Sequence, residues 1–459
     1  MQDRSKQLII GTIKYIKNQD INDFFCFSSC LAALNDLNEY ISQLQAQENV
    51  DEAMISVDKA RHLFQAHSYE KFHQCIDAIE RWVFKQISRY RVDFIILRRS
   101  HWGAVRPLVD AFIDAGCHVK IVPVPMIQEL QDNWGSSLKQ LIINDGYIVT
   151  DFRNYDIENE LPDMVVDNMA VDSAKIPEFR FLRIANLVEK VIHLEHSILT
   201  GYTEAMKNSY FRIGRSRSWQ YIVPSELFVS AFPMIFRIDA EFLSEGYPEF
   251  DTIYEIKKES DLPLKKILWN IDALDPNESK NSDMIRLQQE INYLDSMSIE
   301  YPEIQAVVRL HPNFINQSKC KLLKEQLFEL ISARENITLD REPLIYKTYN
   351  EVSAMVTWMS STTMFTFAAT GKPFVVLPTF IEDGYDTIVD MYLLNQLYVA
   401  FNENDMRVFL KNIIENHDDK KSKRLAAFEK YIGIVDGKIS RRIVQEVLKR
   451  YERRKELLE

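Results

Sequence analysis

The chain is 459 residues long, 46% hydrophobic and 27% charged, with a formal net charge of -12. That length exceeds what one core holds, so two or three domains are expected. The acidic balance argues against a general nucleic-acid binder, whose footprint is basic, but leaves room for a small basic pocket.

Residues 1 to about 88 read as helical. Leu31, Leu34, Leu37 and Ile41 recur at helical spacing, as do Phe72, Ile76, Ile79 and Val83. The region lacks proline and is expected to serve packing or oligomer contact. Its first residues precede only a short apolar run, without the core of a signal peptide.

From residue 92 the texture changes. The spacing predicts a strand over 92–97, a helix over 102–115 ended by Gly116, and a strand over 119–125. Such a β-α-β crossover is right-handed and implies a parallel sheet. Further strands are predicted at 162–167, 191–194 and 221–225. A second alternating run starts near residue 263, with strands at 267–269, 306–308, 337–339, 354–356 and 374–377. Helices are predicted between them at 282–298, 317–333 and 363–369, and the charged segment 420–459 also reads as helical.

The expected fold is therefore α/β and GT-B-like: two doubly wound Rossmann-like domains with a cleft between them, plus a helical N-terminal region. The expected boundaries are 1–88 for the helical region, 89–228 for an acceptor-side domain, 229–425 for a nucleotide-donor domain and 426–459 for a charged helix. Other nucleotide-sugar enzymes share this pattern, and the pattern alone does not separate them. Five cysteines without framework spacing read as reduced thiols. No apolar run approaches membrane-spanning length, and neither GxGxxG nor a P-loop motif occurs.

Two polar clusters follow predicted buried strands, where open α/β sheets bind ligands. Arg309 and His311 stand two apart in Val308-Arg309-Leu310-His311-Pro312-Asn313, so alternation places both on one side. An arginine grips phosphate bidentately, and a histidine adds a hydrogen bond. Ser360, Ser361, Thr362 and Thr363 form a hydroxyl-lined helix start, a ready anion site. Each cluster also has a plain structural reading, as a strand-end cap and as an ordinary N-cap. In the first half, His196 follows the strand at 191–194 with Glu195 beside it, and a near-neutral imidazole suits a general base. Arg98, Arg99 and His101 follow the first strand, and Asp167 ends another; these are the expected acceptor side. Arg212, Arg215, Arg217 and the basic residues near 449–455 are candidates for anionic lipid headgroups, with a solvated charged face as the alternative.

Several of these segments together resemble the CDP-glycerol glycerophosphotransferase family, the teichoic-acid and capsule polymer enzymes. Gly246-Tyr247-Pro248-Glu249-Phe250-Asp251 resembles its G-x-P-x-x-D turn, and Lys266–Asn270 the strand that follows. Arg309-Leu310-His311-Pro312 resembles its R-P-H-P element, and 360–373 its serine-rich element ending in Thr370-Gly371-Lys372-Pro373. His196 falls where the family has a W-H-G-T element. The chain departs from the pattern at Trp358 and Met359, where an aspartate precedes the serines, at Thr366, where the next helix carries one, and at Ser197, where a glycine follows the histidine.

The resemblance implies that Arg309, His311 and the 360–363 helix start hold a nucleotide pyrophosphate while His196 deprotonates an acceptor hydroxyl. No metal or other cofactor is implied. The implied partners are a CDP-activated or other nucleotide-activated donor and a polymer or lipid-linked acceptor, with no nucleic acid. Peripheral membrane contact and a homo-oligomer stay open, and the expected location is cytoplasmic, at the inner face of the plasma membrane. A nucleotide-sugar glycosyltransferase, a non-hydrolysing epimerase and a non-catalytic family member remain as alternatives.

Overall fold

The computed structural model describes residues 12–13, 16, 24–42, 50–69, 71–72, 74–76, 79, 90–96, 99–124, 138–159, 161–167, 184, 187–188, 190–194, 201–203, 219–229, 240–258, 266–271, 281–311, 321–342, 344–358, 362–378, 385–387 and 391–458. The candidate residues Arg98, Glu195, His196, Ser360 and Ser361, and the basic residues Arg212, Arg215 and Arg217, lie outside them. The chain divides into two compact units. One comprises Met1–Ile95, Phe112–Pro123 and Asp132–Val165; the other comprises Ile96–Ala111, Val124–Gln131 and Val166–Glu459.

The first unit opens with helices α1 (Phe24–Ser42) and α2 (Val50–Gln65). Leu34, Leu37 and Ile41 of α1 pack with Val57, Ala60 and Phe64 of α2 and with Phe72, Ile76 and Ile79, giving this region its own core. Strand β1 (Arg91–Ile96) leads to helix α3 (Arg99–Asp114), strand β2 (His118–Pro123), helix α4 (Leu138–Asn144) and strand β3 (Met164–Asp167); α3 as far as Ala111 and the last two residues of β3 belong to the second unit. The strands lie in the order β2-β1-β3. Asp93 on β1 is wholly buried. Its carboxylate accepts from Nε of Arg91 at 2.9 Å, Nη2 of Arg91 at 2.7 Å and the Tyr155 hydroxyl at 2.7 Å, so the buried charge is compensated.

In the second unit, β4 (Val191–Leu194), β6 (Gln220–Ile222) and β7 (Glu241–Leu243) pair in parallel in that order. Strand β5 (Gly201–Thr203) instead pairs antiparallel with β13 (Tyr385–Thr387). Helix α5 (Glu249–Lys258) follows β7. The chain then alternates through β8 (Lys266–Ile271), α6 (Asn281–Glu300), β9 (Gln305–Leu310), α7 (Lys321–Ala333), β10 (Ile337–Leu339), α8 (Ile345–Glu351), β11 (Ala354–Trp358), α9 (Thr362–Ala368) and β12 (Phe374–Leu377). After β13 come α10 (Met391–Asn395), β14 (Tyr398–Val399), α11 (Glu403–Ile414), α12 (Lys421–Ile432) and α13 (Ile439–Leu458).

The second sheet runs β10-β9-β8-β11-β12-β14, all parallel. Numbered within this half, that is the doubly wound order, and it reverses between β8 and β11. One face is the core: Ile267, Trp269 and Ile271 of β8, Ala306, Val308 and Leu310 of β9, and Ala354, Val356 and Trp358 of β11 pack with Leu287, Leu294, Leu327 and Leu410 from the helices. Glu290 of α6 is wholly buried in this layer. It accepts from Nε1 of Trp269 at 3.0 Å and Nε1 of Trp358 at 2.7 Å. Trp358 therefore points into the core and ties two strand ends to one carboxylate.

Several elements differ from the sequence reading. The strand predicted at 221–225 spans Gln220–Ile222. The segment 420–459, read as helical with a charged helix over 426–459, forms two helices, because the chain turns at Gly433 with φ 73° before α13 begins. Helix α5 replaces what reads as a bare turn, burying Phe250, Ile253 and Ile256 at helical spacing.

Candidate functional site

The switch point between β8 and β11 is where a doubly wound sheet opens a ligand crevice. On the face opposite the core, Arg309 of β9 stands in register with Asn270 of β8. Asn270 donates from Nδ2 to Oγ1 of Thr357 on β11 at 3.2 Å. A polar row thus crosses three strands near their carboxyl ends. Arg309 is held there from the next strand: its Nη1 donates to Oδ2 of Asp340 at 2.6 Å and to the Glu342 carbonyl at 2.9 Å. Asp340 also accepts from the Thr348 hydroxyl at 2.8 Å. The guanidinium, 18% exposed, is fixed before any ligand arrives. His311 sits just past β9, half-buried, with its backbone N–H on the Ile271 carbonyl at 2.9 Å.

Thr362 and Thr363 open α9, both half-buried. One turn on, the Thr366 hydroxyl is 2.7 Å from the phenol oxygen of Tyr349 on α8. The residue standing in place of the family's second aspartate is therefore a buried hydroxyl paired with a phenol. Helix α9 stops as the sequence reads: Thr370 N–H reaches the Phe367 carbonyl and Gly371 has φ 77°. Lys372 then turns inward. Its ammonium donates to the Tyr349 carbonyl at 2.6 Å and the Val352 carbonyl at 2.7 Å, and burial pulls its pKa down to about 8. This lysine clasps the end of α8.

The Gly246–Asp251 element has two parts with different roles. Gly246 adopts φ +114°, and a Cβ there would lie 3.0 Å from the Ile439 side chain. Asp251 accepts from the backbone N–H of Ile439 at 2.9 Å and of Ser440 at 2.7 Å, capping α13. Between them, Glu249 opens α5. Its Oε1 is 3.5 Å from where a Cβ on Gly103 would stand, and that Cβ would lie 2.9 Å from Cε1 of Tyr346. Glycine lets α3 approach Tyr346 of α8 this closely, while Glu249 stands at ordinary contact distance. Burial raises the Glu249 carboxyl to about 7. It also lifts the Tyr349 phenol well above its ordinary range; Glu249 adds to that shift and Arg309 opposes it. Glu249, Tyr349, Thr366 and Arg309 form one neighbourhood, bounded by the first turns of α3 and α5.

Of the residues predicted for the acceptor side, Arg99 opens α3 and is half-buried, His101 is buried within the same turn, and Asp167 ends β3 and is buried. Sequence reasoning missed Glu249, Tyr349 and Asn270. Only the turn motif around Glu249 and the position of Asn270 late in a buried strand signalled them. Among the described residues, no cluster of three His, Cys, Asp or Glu side chains is arranged to hold a metal ion.

The family model for CDP-glycerol:poly(glycerophosphate) glycerophosphotransferases matches residues 191–449, more than half of the chain. The chain belongs to this family. It is a transferase with a GT-B-like fold. No curated protein sequence matches it. Among solved structures, the wall teichoic acid polymerase TagF is similar at TM-score 0.52 and 13% identity, covering 81% of this chain and 91% of that one. The S. aureus MnaA–UDP co-structure is similar at TM-score 0.53 and 16% identity, covering 77% of this chain and 95% of that one. The UDP-GlcNAc 2-epimerase of Methanocaldococcus jannaschii, in complex with UDP-GlcNAc and UDP, is similar at TM-score 0.53 and 13% identity, covering 78% and 99%. At these identities the three likenesses show a shared fold. Among the described residues, no helix is long and apolar enough to cross a membrane.

Proposed function

We propose that this transferase moves a polyol phosphate, glycerol phosphate or a close analogue, from a CDP-activated donor to an acceptor hydroxyl in the synthesis of a teichoic-acid or capsule polymer. The family match carries this reading, and the polar row at the switch point supports it. Arg309 and His311, with the helix start at Ser360, Ser361, Thr362 and Thr363, grip the donor pyrophosphate. His196, oriented by Glu195, takes the proton of the acceptor hydroxyl. The freed oxygen attacks the β-phosphorus, its bond to the bridging oxygen breaks, and CMP leaves. Arg98, Arg99, His101 and Asp167 line the acceptor side. The halves at 89–228 and 229–425 serve acceptor and donor, with the acceptor presented at the inner face of the plasma membrane. The similar fold of a teichoic acid polymerase agrees with such an acceptor.

A thermal-shift panel tests the reading, using CDP, CDP-glycerol, CDP-ribitol, UDP, UDP sugars and GDP on wild type and Arg309→Ala. A ligand that binds the native state raises its stability with concentration. Stabilisation by cytidine compounds, lost in the variant, supports the proposal. A response to UDP compounds alone favours a nucleotide-sugar enzyme, the reading to which the UDP-bound structures of similar fold lend weight. No response to any of them favours a non-catalytic member.

A further inference from the structure

Helices α6, α7 and α11 cover the core face of the second sheet, and the polar row of Asn270, Arg309 and Thr357 lies on the other face. Their inner sides supply Leu287, Leu294, Leu327 and Leu410 to the core, and α6 packs between its two neighbours. Their outer sides carry apolar groups too. Of the twelve large apolar side chains exposed among the described residues, six lie here: Ile285 and Ile299 on α6, Leu322 and Phe328 on α7, and Phe401 and Val408 at α11.

On α6 the outward stripe reads Ile285, Gln289, Asn292, Ser296 and Ile299, spacing that keeps all five on one face of the helix. It holds no charge, in a chain that is 27% charged. Its two ends, Ile285 and Ile299, are 57% and 60% exposed. The stripe has the same pattern from either end, with Asn292 at the midpoint. The charges beside it are paired within the chain. Asp295 meets Arg334 at 2.8 Å, and Arg407 meets Glu403 at 3.2 Å and Glu300 at 3.7 Å. Lys321 meets Glu325 at 3.8 Å, and Lys411 meets Glu415 at 3.9 Å.

We propose that this layer docks on a second copy of the chain, the two α6 helices packing antiparallel across a two-fold axis at Asn292. A stripe symmetric about its centre is self-complementary under such an axis. Ile285 of one copy meets Ile299 of the other, and Gln289 meets Ser296. The two Asn292 amides meet each other, and each both donates and accepts. Antiparallel pairing also sets the helix dipoles in opposition, which favours it over parallel pairing. A chain of net charge -12 repels its own copy at long range, so contact is favoured where the surface is uncharged and its flanks are neutralised. Interface centres are depleted of charge in the same way. The layer is also large enough: helices of 20, 13 and 12 residues side by side cover on the order of 700 Å², against about 800 Å² per partner in a standard interface. This inference goes beyond the donor reading and does not depend on it, because the polar row stays uncovered.

Sedimentation velocity of the full chain from about 1 μM to about 100 μM tests it. Wild type should sediment as a dimer in the upper part of that range. Ile285→Lys and Ile299→Glu, each at an exposed helical position, should weaken association on the order of 100-fold while melting as wild type does. Asn292→Arg, which sets two like charges on the axis, should do the same and is independent of the apolar ends. An equimolar mixture of Ile285→Lys and Ile299→Glu should recover the dimer, since one lysine then meets one glutamate and the other contact keeps both isoleucines. Wild type that stays monomeric throughout overturns the proposal, as does a dimer that all three variants leave intact. Dissociation by each variant without recovery in the mixture overturns the antiparallel axis. Monomeric wild type that floats with anionic vesicles, and no longer does so as Ile299→Glu, assigns the layer to a lipid surface instead.

Discussion

Lys372 and Glu249 are both side chains driven toward neutrality by burial, yet the chain treats them differently. Lys372 faces backbone: two carbonyls at the end of α8 receive its ammonium. Glu249 faces side chains: its carboxyl lies against Gly103 of α3 and acts on the Tyr349 phenol, which also feels Arg309. The lysine belongs to the Thr370–Pro373 end of the serine-rich element and acts as a clasp. The glutamate belongs to a motif that resembles a turn and lies in the candidate site. Motif resemblance locates the segments; only packing separates the structural residue from the functional one. The pair also pulls stability in opposite directions. Between about 4.5 and about 7, the unfolded carboxyl has lost its proton while folded Glu249 keeps it, so its contribution to stability is lost as pH rises. Between about 8 and about 10.5, unfolded lysine keeps its proton while folded Lys372 loses it, so stability is gained as pH rises.

Arg309 gives the largest expected effect. Arg309→Ala should weaken donor binding on the order of 100-fold and strand Asp340, costing about 3 kcal/mol of stability. Adding Asp340→Asn should recover stability without restoring binding, as measured by denaturant melts and donor titration. Recovery of both would make Arg309 a purely structural residue.

Lys372→Met should cost about 3 kcal/mol at neutral pH by leaving two buried carbonyls unpaired. The gap to wild type should widen above about pH 8, which paired melts at rising pH would read. Donor affinity, corrected for the folded fraction, should change little.

Glu249→Gln should be more stable than wild type at alkaline pH by about 3 kcal/mol, at about 1.4 kcal/mol per unit of a shift from 4.5 to about 7. The advantage should disappear near pH 4.5. A pH-independent difference would mean that the carboxyl is not titrating as described.

Asp251→Ala should lose the two bonds that cap α13, costing about 1 to 2 kcal/mol without altering donor affinity. That outcome would set this carboxylate apart from Glu249, two residues earlier in the same motif.

The strands of the second sheet were legible because parallel strands covered on both faces read as continuous apolar runs, as at 374–377 and 354–356. Strand β14 is two residues long and β13 three, too short for any period. Helix α5 was hidden because Gly246 and Pro248 announce a turn just before it. Arg309 was legible by its place at a strand's end, but its tie to Asp340 was not, since that depends on how β10 registers on β9. Glu249 reads in the sequence as one position inside a turn motif. Its surroundings, Gly103 of α3 and the phenols of α8, come from distant parts of the chain.

The most direct test of the central claim is to supply CDP-glycerol and a lipid-linked acceptor ending in glycerol phosphate, then follow nucleotide and acceptor together by chromatography. The account predicts CMP released in step with acceptor extension, both abolished in His196→Ala. Intact CDP-glycerol and unextended acceptor, with turnover of a UDP sugar in its place, would contradict it.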